Sequence, residues 1–181
     1  THGYWEAASG IANDCGLMIA ESTCSAIFGA RLRGEGGGDA LFGYMELTRI
    51  ALERCSTARE AIELMGALAV EHGFAGNGAE LGGAAESLAL VDADEAWIFH
   101  VMADDSGASA IWAAQRLDEG HAAVVPNVFV IRAVELPEDA TSSASFLLSP
   151  NARAVARRHG LWRPGTPFDF AAIFPAGEAP P

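Results

Sequence analysis

Ser87–Ala103 reads SLALVDADEAWIFHVMA: an apolar run, an acidic break at Asp92–Asp94, and a second apolar run. Two short runs of this length around a polar break predict two β-strands folded back on each other. Downstream, SAIWAAQRL (Ser109–Leu117) and AAVVPNVFVIR (Ala122–Arg132) have the same character and are expected to add strands, giving an antiparallel sheet.

Upstream the period changes from two to about 3.6. STAREAIELMGALAVEHG (Ser56–Gly73) carries an apolar stripe at Ala58, Ile62, Met65, Leu68 and Ala69. Thr57 and Glu60 form a capping box, and Gly73 sits where a helix ends. DALFGYMELTRIALERC (Asp39–Cys55) predicts a preceding helix with Asp39 as its N-cap. GLMIAEST (Gly16–Thr23) is apolar on both faces and reads as a strand buried between layers. Glycine-rich links follow this strand (RGEGGGDA) and the second helix (GFAGNGAELGGAAE). Near the end, SPNARAVARRHGLW predicts a short helix and FDFAAIF an irregular run. The fold class is therefore α+β, one sheet covered by a pair of helices, with a second layer expected from chain outside this sequence.

The 181 residues suffice for one domain with a substantial core. The net charge is −13, all 11 basic residues are arginines, and the one dense group is Arg153, Arg157, Arg158 and Arg163. That argues against a nucleic-acid partner, which needs a broad positive face. No apolar stretch reaches the ~20 residues of a membrane span. Cys15, Cys24 and Cys55 match no disulfide framework or metal spacing, so compartment stays open. Asp92, Asp94, Glu95, Asp104 and Asp105 read as solvated turns rather than cation ligands.

NDCGLMIAESTCSA, LERCSTAREAIELMGALAVEHGF, AESLALVDADEAWIFHVM, SAIWAAQRL and VVPNVFVIR follow one another in the order seen in the cysteine dipeptidases of the N-terminal-nucleophile hydrolase superfamily, which also include secernin-like proteins. The chain resembles them from about Gly3 through GLWRPGTPFDF. The resemblance implies an αββα sandwich, hydrolysis of dipeptides, and a cysteine nucleophile at the mature N-terminus whose own α-amine is the base, with no metal or organic cofactor expected. That cysteine and the Arg/Asn/acid motif after it are not in this sequence. The chain is thus expected to be a single partial catalytic domain over residues 1–181, without the nucleophile strand or the C-terminal part. An exposed sheet lacking its partner layer would favour homo-oligomers. The alternative is a non-catalytic, secernin-like interaction module.

The resemblance matches Asn127 to the asparagine that donates to the oxyanion in related amidohydrolases. A bulge or turn set by Pro126 is the structural alternative. Thr23, at the exit of the opening strand, is a candidate second donor through its backbone N–H, and Glu21 and Ser22 are candidate substrate contacts, with Glu21 suited to a free amino terminus. Asn13 is either an active-site amide or an Asx-turn ahead of Gly16. Cys24 has no base within a turn of it and reads as a structural thiol. Thr1 is set aside because THGYWEAASG lacks strand alternation. His100 reads as a packed or surface strand residue, and Trp97 and Trp112 as core residues able to stack across adjacent strands.

Overall fold

The carboxylate of Asp92 joins the central hairpin to the helical layer. In the computed structural model, which describes residues 1–76 and 84–175, one of its oxygens accepts the N–H groups of Asp94 and Glu95 (both 2.8 Å) and shapes the turn. The other accepts the Ala58 N–H (2.7 Å), at the start of the second helix. Burial pushes this carboxyl's pKa up, but the three backbone donors outweigh that and hold it below the usual carboxylate range. The expected solvated turn is thus a cap shared by two elements.

Among the described residues, seven strands form one antiparallel sheet in chain order: β1 (Tyr4–Glu6), β2 (Gly10–Asn13), β3 (Met18–Ser25), β4 (Ala84–Val91), β5 (Ala96–Ala103), β6 (Ala110–Arg116) and β7 (Phe146–Leu148). Between β3 and β4 run α1 (Tyr44–Arg54) and α2 (Ala58–His72); α3 (Ala152–Arg158) and α4 (Phe170–Ile173) follow β7. Alternation sorts the side chains. Ile19, Leu88, Leu90, Trp97, Phe99, Val101 and Trp112 pack with α1 and α2. Cys24, Ala85, Ile98, Met102, Ile111 and Leu148 pack with α3, α4 and the segment around Phe129–Val134.

α2 is bounded as its sequence predicts. Thr57 Oγ1 accepts the Glu60 N–H (3.2 Å), and Gly73 ends the helix at φ 82°, a left-handed backbone that suits glycine. The Glu60 carboxylate reaches back to the N–H of Ser56 (3.1 Å), one residue before the cap. α1 begins later than expected: Gly43, not Asp39, is its N-cap, and the Glu46 carboxylate accepts the Gly43 N–H (3.1 Å).

Other expectations need correction. Ala122–Arg132 forms no strand, because Pro126 removes a ladder donor and Asn127 takes φ 56°. Met18 and Ala20 are exposed, so among the described residues β3 is covered fully only on its helical side. Trp5, Ala12, Met18, Val91 and Ala96 are successive register partners and form a row on the other face, with Trp5 65% and Met18 53% exposed. Trp97 and Trp112 are both buried but do not stack on each other. Trp112 meets Phe99, and Arg59 lies over Trp97. The three-residue strands β1 and β7 and the four-residue β2 were too short to register as periodic runs. FDFAAIF contains the short helix α4.

Two of the four clustered arginines have structural tasks. Arg153 donates to the carbonyls of Leu136, Glu138 and Ala140, while Arg158 pairs with Asp105. The second glycine-rich link falls largely on 77–83, outside the described residues. No helix among the described residues is long and apolar enough to cross a membrane.

Candidate active site

β2 pairs with β3 only at Ala12–Met18, so beyond Met18 that edge of β3 has no strand partner among the described residues. In an antiparallel strand the N–H and C=O of one residue point to the same edge, and successive residues alternate. Leu17 turns its carbonyl to the β2 side, where it accepts the Asn13 N–H (3.0 Å). Ile19, Glu21, Thr23 and Ser25 therefore face that edge, and Met18, Ala20, Ser22 and Cys24 face β4. The Thr23 carbonyl meets the side-chain amide of Asn127, whose Nδ2 donates across 2.7 Å. The Thr23 N–H and the second N–H of Asn127 Nδ2 thus belong to the same unpaired edge. Asn127 reaches it through its left-handed backbone, which asparagine tolerates better than most residues.

Two further anchors hold the loop that carries Asn127. Ser22 Oγ donates to the Val125 carbonyl (3.2 Å). His100, fully buried on β5, accepts two backbone N–H groups at Nε2, from Val130 (2.9 Å) and Ile131 (3.2 Å). Its ring lies 4.8 Å from that of Phe129 and stacks on Phe170. Burial drives the His100 pKa down to about 3, so the imidazole is neutral. With Nε2 accepting, its one proton is on Nδ1 and is donated to Ser87 Oγ at 2.6 Å.

This tautomer decides the status of Cys24. Its Sγ is 3.0 Å from Ser87 Oγ, so Cys24, Ser87 and His100 form a buried line resembling a nucleophile, a relay and a base. A base needs a free lone pair on the nitrogen facing the relay, and His100 presents N–H there. Burial also raises the Cys24 thiol above its ordinary value. The line is structural, as the sequence reading of Cys24 expected.

The structure brings Thr23 and Asn127 together and adds Glu21, whose Oε1 accepts the Thr23 hydroxyl (2.8 Å) on the helical-side face. Ser22 points to the opposite face and spends its hydroxyl on the loop, which makes it a scaffold group rather than a substrate contact. Asn13 requires correction. It is buried, its Nδ2 donates to the Leu52 and Cys55 carbonyls (2.9 Å each), and its Oδ1 accepts from Cys15 and Leu17 (3.1 Å each). It is a saturated turn amide opposite Leu17, about 20 Å of extended strand from Thr23. Sequence reasoning missed the role of His100, although a signal existed. A hairpin folded about Ala93–Asp94 places His100 opposite Ser87, two polar residues in otherwise apolar strands.

A cleft of about 470 Å³ lined by Glu63, Gly66, Val70, Trp112 and Leu147 lies between α2 and the β6–β7 side, three strands from this edge. The chain is thus α+β, and Thr23 and Asn127 meet along an edge of β3 that has no strand partner beyond Met18 among the described residues. Residues 1–179 match the model of peptidase family C69, and the chain belongs to that family. Membership places it among hydrolases of peptides.

Proposed function

We propose that the protein is a cysteine-type dipeptidase in which this chain supplies the oxyanion-stabilising wall. A cysteine encoded ahead of this sequence attacks the peptide carbonyl, and its α-amine takes the thiol proton. The carbonyl oxygen, now negative, is received by the Thr23 N–H and the free N–H of Asn127. The C–N bond then breaks, the amine leaves with a proton, and water hydrolyses the thioester. The Glu21 carboxylate, steadied by the Thr23 hydroxyl, offers a counter-charge to the ammonium of a short peptide.

One observation carries the reading: Asn127 Nδ2 lies 2.7 Å from the Thr23 carbonyl on a strand edge with no partner beyond Met18 among the described residues. Donors fixed before the reaction stabilise developing charge without reorganisation, and one such donor is worth roughly 10²–10³ in kcat. The test is release of amino acids from a dipeptide panel by the full-length protein. Turnover that Asn127→Ala lowers by that factor supports the proposal, and absence of turnover on every short peptide overturns it.

A further inference from the structure

We propose that His2, Asp14 and Cys15 form a binding site for a Zn²⁺-class divalent ion, remote from the Asn127 edge and independent of the peptidase reading. Among the described residues they are the one set of three metal-ligating side chains whose ligand atoms lie within 4.8 Å of one another. The separations are 3.2 Å for Cys15 Sγ to His2 Nδ1, 3.5 Å for His2 Nδ1 to Asp14 Oδ1, and 3.8 Å for Cys15 Sγ to Asp14 Oδ1. Around a tetrahedral zinc, sulfur, nitrogen and oxygen ligands at their usual bond lengths stand roughly 3.3–3.6 Å apart. Those three separations come within a few tenths of an ångström of such a tetrahedron, but Cys15 Sγ also lies 3.8 Å from His2 Nε2, so the sulfur sits beside the ring and the imidazole must turn to aim its Nδ1 lone pair at a shared ion.

A second observation concerns their neighbours, which hold two of the side chains and the backbone of the third. His2 Nε2 lies 3.3 Å from Ser56 Oγ, the place for the outer hydrogen bond that leaves Nδ1 unprotonated for a metal. Asp14 accepts the Gly3 N–H through Oδ2 (3.0 Å), which leaves Oδ1 for coordination. The Cys15 N–H is held by Asn13 Oδ1 (3.1 Å), inside the turn that the buried Asn13 amide locks to α1. Thiolate, imidazole and carboxylate together favour zinc over the hard ions magnesium and calcium. On binding, the Cys15 S–H proton leaves to solvent as the metal–sulfur bond forms, and water completes the fourth position. The ion would tie the segment before β1 to the β2–β3 turn, with Ser56 of the α1–α2 link behind them.

The experiment is titration of the full-length protein with Co²⁺, followed by displacement with Zn²⁺. One equivalent should produce the intense visible bands of four-coordinate cobalt and a thiolate-to-metal charge-transfer band. Cys15→Ser should abolish the charge-transfer band, and Ser56→Ala should weaken binding by about 10-fold or more. Cys24→Ser should leave both intact, because Cys24 is buried elsewhere. A second measurement needs no variant. Cys15 is the exposed cysteine of the three, so Zn²⁺ should protect it from iodoacetamide. Absence of cobalt bands, persistence of the charge-transfer band in Cys15→Ser, or unchanged alkylation at saturating Zn²⁺ would each overturn the site.

Discussion

Asn127 and Thr23 are 104 residues apart in the chain, and the side-chain amide of one donates to the carbonyl of the other across 2.7 Å. That contact places the loop amide where a reacting carbonyl would need a donor. Asn127→Ala removes the donor without disturbing the core. It should lower kcat on a dipeptide roughly 10²–10³-fold with little change in KM. Asn127→Gly keeps the left-handed backbone available and should lose as much activity. Recovery of activity in Asn127→Gly would assign the residue to backbone geometry instead.

His100 should behave as a positioning residue. His100→Leu leaves two backbone N–H groups buried without an acceptor, at about 1–3 kcal/mol each, and releases the loop. His100→Gln, which restores an oxygen near the Nε2 position, should recover a good part of the stability in urea unfolding.

The same imidazole sets a pH dependence. Its folded pKa of about 3 lies below the ordinary histidine value, so between the two the unfolded chain holds the extra proton. The stabilisation is complete above about pH 6.5 and falls as the pH drops towards 3, by up to ~1.4 kcal/mol per pH unit. Denaturation midpoints measured across that range should fall less steeply in His100→Gln than in the native protein.

Gly66 and Trp112 share one volume. A Cβ on Gly66 would lie 2.4 Å from Trp112 Cε2, and the Gly66 carbonyl accepts the indole N–H (3.0 Å). Gly66→Ala gains up to ~1 kcal/mol of helix propensity but forces the indole aside, for a net loss of about 1–3 kcal/mol. Calorimetry should show a lower melting temperature, and an unchanged or higher one would refute the close approach.

Cys24→Ala should keep dipeptidase activity, because its thiol is buried and faces no base. Loss of turnover in a folded Cys24→Ala protein would contradict the assigned tautomer of His100.

The sheet centre and α2 were legible because their signals are local: apolar runs around Asp92–Asp94, and a capped stripe from Thr57 to Gly73. Ala122–Arg132 misled because its apolar content reflects packing of a loop against His100, Phe170 and α3, not strand pairing. Asn13 and Asn127 look alike as residues before or within apolar runs. Only tertiary contacts separate them, four saturating bonds for one and an open strand edge for the other. The cluster at His2, Asp14 and Cys15 escaped because its members come from two segments that β1–β2 pairing brings side by side.

Ser25 and Ala84 pair in the sheet with the whole helical layer between them along the chain. Closing so long a loop costs roughly 2 kcal/mol more entropy than closing a hairpin. The β4–β5–β6 meander, joined by tight turns, is therefore expected to nucleate first, with β3 arriving late. Substitutions in β5 should slow refolding, while those at Thr23 or Asn127 should chiefly hasten unfolding.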